Sequence, residues 1–161
     1  MKEVKINGIA LDITTNSPVV ILAPLDSDQL LLPIWIGHYE AWAIGMELSG
    51  LSSKRPLTHD LLKSAIESLG AKILKVEVTE LVNQTFYAKI YVELNGSVKE
   101  IDARPSDSIA LALKAGAKIY VADELFEIKK GDGKTPGATD AESLRERLRK
   151  INPEDFGRYT L

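Results

Sequence analysis

Two runs near the N-terminus, PVVILAPL and QLLLPIWI, are apolar at almost every position. A strand covered on one face alternates apolar with polar residues, whereas a strand that is apolar throughout must be covered on both. This chain therefore needs a second layer over those strands, and helices are the natural elements to supply it. Asp26-Ser27-Asp28 separates the runs as a turn, and Gly37 closes the second. Upstream, residues 3–14 alternate, with Val4, Ile6, Ile9, Leu11 and Ile13 apolar and a bend at Asn7-Gly8.

HYEAWAIGMELSG reads as a helix ending at Gly50, with Ala41, Ile44 and Leu48 on one stripe and Trp42 and Met46 on another. One sheet cannot cover both, so the helix is expected to be central or at a subunit interface. In THDLLKSAIESLG, Thr58 is the expected N-cap and Asp60 lies near the positive end of the dipole. Leu61, Leu62, Ala65, Ile66 and Leu69 form its expected buried stripe. AKILKVEVTELV and TFYAKIYVEL alternate as strands, and Asn95-Gly96 signals a two-residue hairpin into SVKEIDA. SDSIALALKAG follows as a helix and AKIYVADELFEI as a last strand. KKGDGKTPGAT then reads as a linker, AESLRERLRK as a short charged helix, and INPEDFGRYTL as a tail able to dock through Phe156 and Tyr159. The expected division is one domain over residues 1–129 and a linker, short helix and tail over 130–161.

The 161 residues include no cysteine, which excludes disulfides, thiolate catalysis and Cys-ligated metals and accords with a reducing cytoplasm. Net charge is −3, so a polyanion would have to be met at a local basic patch or through a metal bridge. The N-terminus lacks the apolar region of a signal peptide. Pro33, Gly37, His38 and Glu40 interrupt the greasiest window well short of a membrane span. A soluble cytoplasmic protein with no membrane partner is expected. Walker A, GxGxxG, GxSxG, HExxH and zinc-finger patterns are absent.

RPLTHDLLKSAIESLGAKIL, from Arg55, and RPSDSIALALKAGAKIYV, from Arg104, share a plan: Arg-Pro, a capping residue, an acid, an apolar helix, then Gly-Ala-Lys-Ile entering a strand. This reads as an internally duplicated β-rich-then-helical unit whose helix starts approach one another. ARPSDS has a plain reading, in which Ser106 caps, Asp107 favours the dipole, and Arg104 pairs with Asp102 or Asp107. Its functional reading makes the helix-start amides and Arg104 a cradle for phosphate, with Asp102 and Asp107 available to a divalent metal. His59 falls in a first helical turn beside Asp60, a position suited to a general base or metal ligand as well as to a plain surface histidine. His38 and Glu40 occupy a strand-to-helix corner, with Glu47 two turns on. A carboxylate on so apolar a helix calls for an arginine, histidine or metal, and a salt bridge to Arg55 or Arg104 is the plain alternative.

LPIWIGHYEAWAI, RPLTHDLL, FYAKIYV and IDARPSDSIALAL with AKIYVADE, in that order, resemble the bifunctional nuclease family of bacteria and plants. The likeness runs from about residue 3 to residue 128, and LRKINPEDFG resembles the end of many members. The resemblance implies an α+β domain with an internal duplication, one mixed, barrel-like sheet and helices packed outside it. It also implies a cytosolic homo-oligomer with nuclease activity on RNA and DNA. The motif positions are Glu40, Arg55, Thr58, His59, Asp60, Asp102, Arg104, Ser106 and Asp107. The first expectation is phosphodiester hydrolysis, with Glu40, His59, Asp60, Arg104 and Asp107 catalytic and Arg55, Thr58 and Ser106 binding the nucleic acid. Glu40, Asp102 and Asp107 would hold Mg²⁺ or Mn²⁺. The rival expectation is a non-catalytic oligomeric scaffold or regulatory module whose Arg-Pro helix starts bind a small anion, nucleotide or partner protein.

Overall fold

The first apolar run becomes a strand with no open face in the computed structural model, which describes residues 1–127. That strand is β2 (Ser17–Pro24), flanked by β1 (Lys2–Asp12) and β3 (Leu32–Trp35). Val20 and Leu22 join the main core, while Val19 and Ile21 pack with Ala10 and Leu31 in a smaller cluster. The remaining elements are α1 (His38–Leu48), α2 (Thr58–Ser68), β4 (Lys72–Val82), β5 (Thr85–Leu94), β6 (Ser97–Ala103), α3 (Pro105–Ala115), β7 (Lys118–Val121) and α4 (Asp123–Glu127).

The seven strands form one mixed sheet in the order β3-β2-β1-β7-β4-β5-β6. Two antiparallel meanders, β1–β3 and β4–β6, are joined by β7, which runs antiparallel to β1 and parallel to β4. The fold is α+β as expected, but the sheet is open where a barrel-like one was expected. Its edges are β3, only four residues long, and β6, whose Lys99, Glu100 and Asp102 are exposed. A four-residue β3 offers little ladder to pair with β6, and charges along an edge strand disfavour such pairing. Both Arg-Pro helices lead through Gly-Ala-Lys-Ile into strands, and those strands, β4 and β7, are parallel neighbours.

The helices lie against the sheet, α3 on β4, β5 and β7, α1 on β2, and α2 on β4. Helix α3 is the central one, with Ile109, Ala110, Leu111 and Ala112 fully buried. Helices α1 and α3 run side by side in the same direction, since Glu40 meets Arg104 at their starts and Glu47 meets Lys114 at their ends. The start of α2 is fastened to the flank of α3. Its expected buried stripe is not covered: Leu61 is 62% exposed and Leu69 is 81% exposed, while His59 is buried. The helix is held by its first turn and by Ile66 rather than along its length.

Three local expectations also change. The N-cap of α2 is Leu57, whose N–H donates to Asp60 Oδ2 at 2.9 Å, and Thr58 is the first helical residue. Arg104 is the N-cap of α3, Pro105 takes the first helical position, and Ser106 is a buried residue inside the first turn. The last strand ends at Val121, where Ala122 donates to Val78 O and α4 begins, burying Leu125 and Phe126. The expected linker, charged helix and tail lie outside the described residues. No helix among the described residues is long and apolar enough to cross a membrane.

Candidate functional site

The starts of all three long helices meet in one chain of hydrogen bonds. Glu40, in the first turn of α1, accepts from Arg104 Nη2 at 2.6 Å. Arg104, at the cap of α3, donates from Nε to Asp107 Oδ2 at 2.8 Å, and Asp107 Oδ1 lies 2.8 Å from His59 Nε2 in the first turn of α2. The local sequence explains the convergence. Pro105 fixes the helical φ at the first position of α3 while leaving Arg104 extended, with φ −71° and ψ 146°. Asp107 then projects one turn in, an i,i+3 neighbour of Arg104. Gly37 lets Glu40 fold back over the start of α1, because a Cβ there would land on Glu40 Oε2.

Exposure peaks in the middle of the chain: Arg104 is 66% exposed, and it falls to 14% at Glu40 on one side and to 26% at Asp107 and a buried His59 on the other. Burial pushes the Asp107 carboxyl up, but Arg104 and His59 outweigh it and hold the group below its ordinary value. Asp107 is therefore ionised at neutral pH and can only accept, so His59 Nε2 donates the hydrogen bond between them. Asp107 and then Glu40 push the Arg104 guanidinium up, fixing its charge.

Asp60 belongs to a different group. Its Oδ1 lies 2.7 Å from Lys114 Nζ, which also reaches Glu47 Oε1 at 2.9 Å. Lys114 draws Asp60 down, while burial of Lys114 itself is overcome by Asp60 and Glu47, leaving the ammonium raised. Arg55 and Thr58 are exposed on the approach to α2, and Ser106 is buried behind the chain. Asp102 is exposed on β6, opposite Lys89 in register. Among the described residues no three of His, Cys, Asp and Glu are grouped to hold a metal ion. The expected ligands Glu40, Asp102 and Asp107 thus do not form a metal set as they stand, because Glu40 and Asp107 are both turned to Arg104. Sequence reasoning missed Gly37 and Lys114. A glycine three residues before an acid at a helix start was the available signal for the first, and nothing local marks the second.

A family model described as the bifunctional nuclease domain matches residues 20–132. An uncharacterized protein of Mycobacterium tuberculosis is 38% identical over 165 residues, covering 97% of this chain and 98% of that protein. Bifunctional nuclease 1 of Arabidopsis thaliana is 26% identical over 128 residues, which is 74% of this chain and 39% of the plant protein. Bifunctional nuclease 1 of Oryza sativa subsp. japonica is 28% identical over 105 residues, or 63% of this chain and 32% of the plant protein. The chain spans well under half the length of these plant relatives.

Proposed function

The chain belongs to the bifunctional nuclease domain family, and from that premise we propose that it hydrolyses phosphodiester bonds in RNA or DNA at the Glu40–Arg104–Asp107–His59 chain. One observation carries the reading: Arg104 is 66% exposed, yet carboxylates on two different helices fix its plane. A guanidinium so held keeps its remaining N–H donors aimed outward, which is what a phosphate oxygen requires. Net charge draws the anion in only weakly. Two carboxylates outweigh one guanidinium, and the three adjacent helix starts, each worth about +0.5 charge, bring the sum only slightly above zero. Directed donors rather than bulk potential do the binding.

In this reading Arg104 stabilises the charge that develops on the phosphoryl oxygens. His59 Nδ1 takes a proton from the attacking water while Asp107 holds the ring from Nε2. Water oxygen bonds to phosphorus, the bond from phosphorus to the leaving sugar oxygen breaks, and that oxygen takes up a proton from solvent, to which His59 gives back the one it took. Since His59 is nearly buried, it acts on a water at its edge and not on the nucleic acid directly. Arg55 and Thr58 lie on the approach and contact the strand. The reading carries with it a cytoplasmic homo-oligomer.

Cleavage of single-stranded RNA and DNA by purified protein, with Mg²⁺, Mn²⁺ or chelator, tests the proposal. Arg104→Lys and Asp107→Asn are each expected to lower kcat by roughly 10²–10³-fold with circular dichroism unchanged. Equal cleavage by folded variants would trace the activity to a contaminant and overturn the reading. A second reading, a scaffold or regulator without catalysis, is favoured by the fact that Glu40, Asp60 and Asp107 all have protein partners. Absence of cleavage under every metal condition would select it.

A further inference from the structure

The opposite ends of α1 and α3, away from Arg104, frame a cavity of about 270 Å³ with the loop that precedes α2. Ligand pockets for drug-sized molecules run from about 300 to 1,000 Å³, so this one suits something smaller. Its walls divide by chemistry. Met46, Leu51 and Pro56 supply apolar surface. Glu47, Asp60 and Lys114 supply a polar edge, and Ser64 and Lys54 stand at the rim.

That polar edge has spare capacity in both senses. Lys114 is 7% exposed, and its ammonium gives hydrogen bonds to Glu47 Oε1 and Asp60 Oδ1, leaving one N–H of three. Glu47 keeps Oε2 as an acceptor, since only Oε1 is engaged among the described residues. The buried Lys114 ammonium holds the partly exposed Glu47 carboxylate at 2.9 Å, so donor and acceptor stand side by side next to an apolar wall. A flat heterocycle carrying an adjacent donor and acceptor matches that combination, and nucleobases have it on their pairing edge. Lys54, exposed at the rim, is placed for the attached phosphate. Position also fits. Asp60 adjoins His59, and Lys114 follows Asp107 by two turns of α3, about 10.5 Å along the axis.

We propose that this cavity binds one nucleobase of a nucleotide, its phosphate directed to Lys54. The proposal rests on the nuclease reading for its physiological source, a base of the strand being cut, but the binding chemistry is the same for a free nucleoside monophosphate. Binding of the four ribonucleoside monophosphates, of ribose 5-phosphate and of a short single-stranded oligonucleotide, followed by titration calorimetry, tests it. At least one monophosphate is expected to bind and ribose 5-phosphate not to. Ser64→Phe, a change at an exposed residue that fills the cavity, is expected to weaken nucleotide binding at least tenfold, and Lys54→Ala several-fold. Oligonucleotide binding weakened in parallel assigns the pocket to the strand; weakening of the monophosphates alone assigns it to a free nucleotide. Absence of monophosphate binding, or affinities untouched by Ser64→Phe in a folded protein, would overturn the proposal even where cleavage persists. Nucleotide binding lost in Ser64→Phe, in a protein that cuts nothing, keeps the pocket and removes the nuclease reading.

Discussion

A methyl group on Gly37 would collide with the Glu40 carboxylate, and that single contact separates two things usually confounded in a site mutant. The Gly37 φ of −76° suits any residue, so alanine meets no backbone penalty. What it meets is the far end of a flexible side chain, which can swing away. Swinging takes Oε1 off Arg104, now 2.6 Å away. The Glu40–Arg104 pair is open on its arginine side, where Arg104 is 66% exposed, and is worth about 0–1 kcal/mol, so Gly37→Ala is expected to melt within about 4 °C of the parent. Activity should suffer more, since misplacing a positioning group by about 1 Å can cost on the order of 10²-fold. Melting curves and kcat on one preparation check both halves, and full activity would mean Arg104 does not need Glu40. The sequence offered Arg55 and Arg104 as equal partners for Glu40, because spacing along a chain cannot say which loop folds over which helix. Gly37 was legible only as the end of a strand.

Elements were read well where the signal is local and less well where a partner decides. Asn7-Gly8 does mark an irregularity, the register of β1 against β2 shifting between Ile6 and Gly8. Asn95 and Gly96 adopt φ of 52° and 77°, the left-handed pair that a tight hairpin needs. In α2 the helical period was right and the burial was not, because periodicity shows that a face is apolar and not what covers it. Leu61 and Leu69 remain at the surface, 62% and 81% exposed. If the expected homo-oligomer forms through this face, Leu61→Lys with Leu69→Lys should lower the mass measured by light scattering. Each is a surface change worth about 0.5 kcal/mol or less to the isolated fold, so the far-ultraviolet spectrum should not move. Unchanged mass in a parent that is oligomeric would assign its contact to another face.

The ion pairs that join distant parts of the whole molecule set how its stability should respond to pH. Five carboxyls, Asp12, Asp60, Glu77, Glu100 and Asp107, lie below their ordinary values, Glu100 through its bond to Lys89. For Asp12, Glu77 and Asp107 burial pushes the other way and is outweighed, by Trp35 and Thr14, by Lys75 and Tyr91, and by Arg104 and His59 respectively. For Asp60 the Lys114 bond leads. The unfolded chain therefore takes up protons first as acid is added, and stability that is complete above about pH 4–5 falls as pH drops through the folded values. On the alkaline side, the bond to Glu77 leads in pushing the Tyr91 phenol up to about 12. Lys114 is also raised, its carboxylate partners overcoming its burial. For groups raised on folding the sign reverses: their contribution is complete below about pH 10 and is lost as pH climbs through the folded values. Arg104 to Asp107 is legible locally as an i,i+3 pair, whereas Glu47 to Lys114 and Glu77 to Tyr91 are not, since they join separate elements. Urea unfolding from pH 2 to 12 should give a plateau with a fall on each side. Tyr91→Phe removes the phenol and with it the proton whose loss steepens the alkaline limb, so that limb should become shallower while the acid limb keeps its carboxylates apart from the weakened Glu77. An alkaline limb of unchanged slope in Tyr91→Phe would mean the Tyr91–Glu77 bond does not persist in solution, and the fall would have to come from lysines such as Lys114.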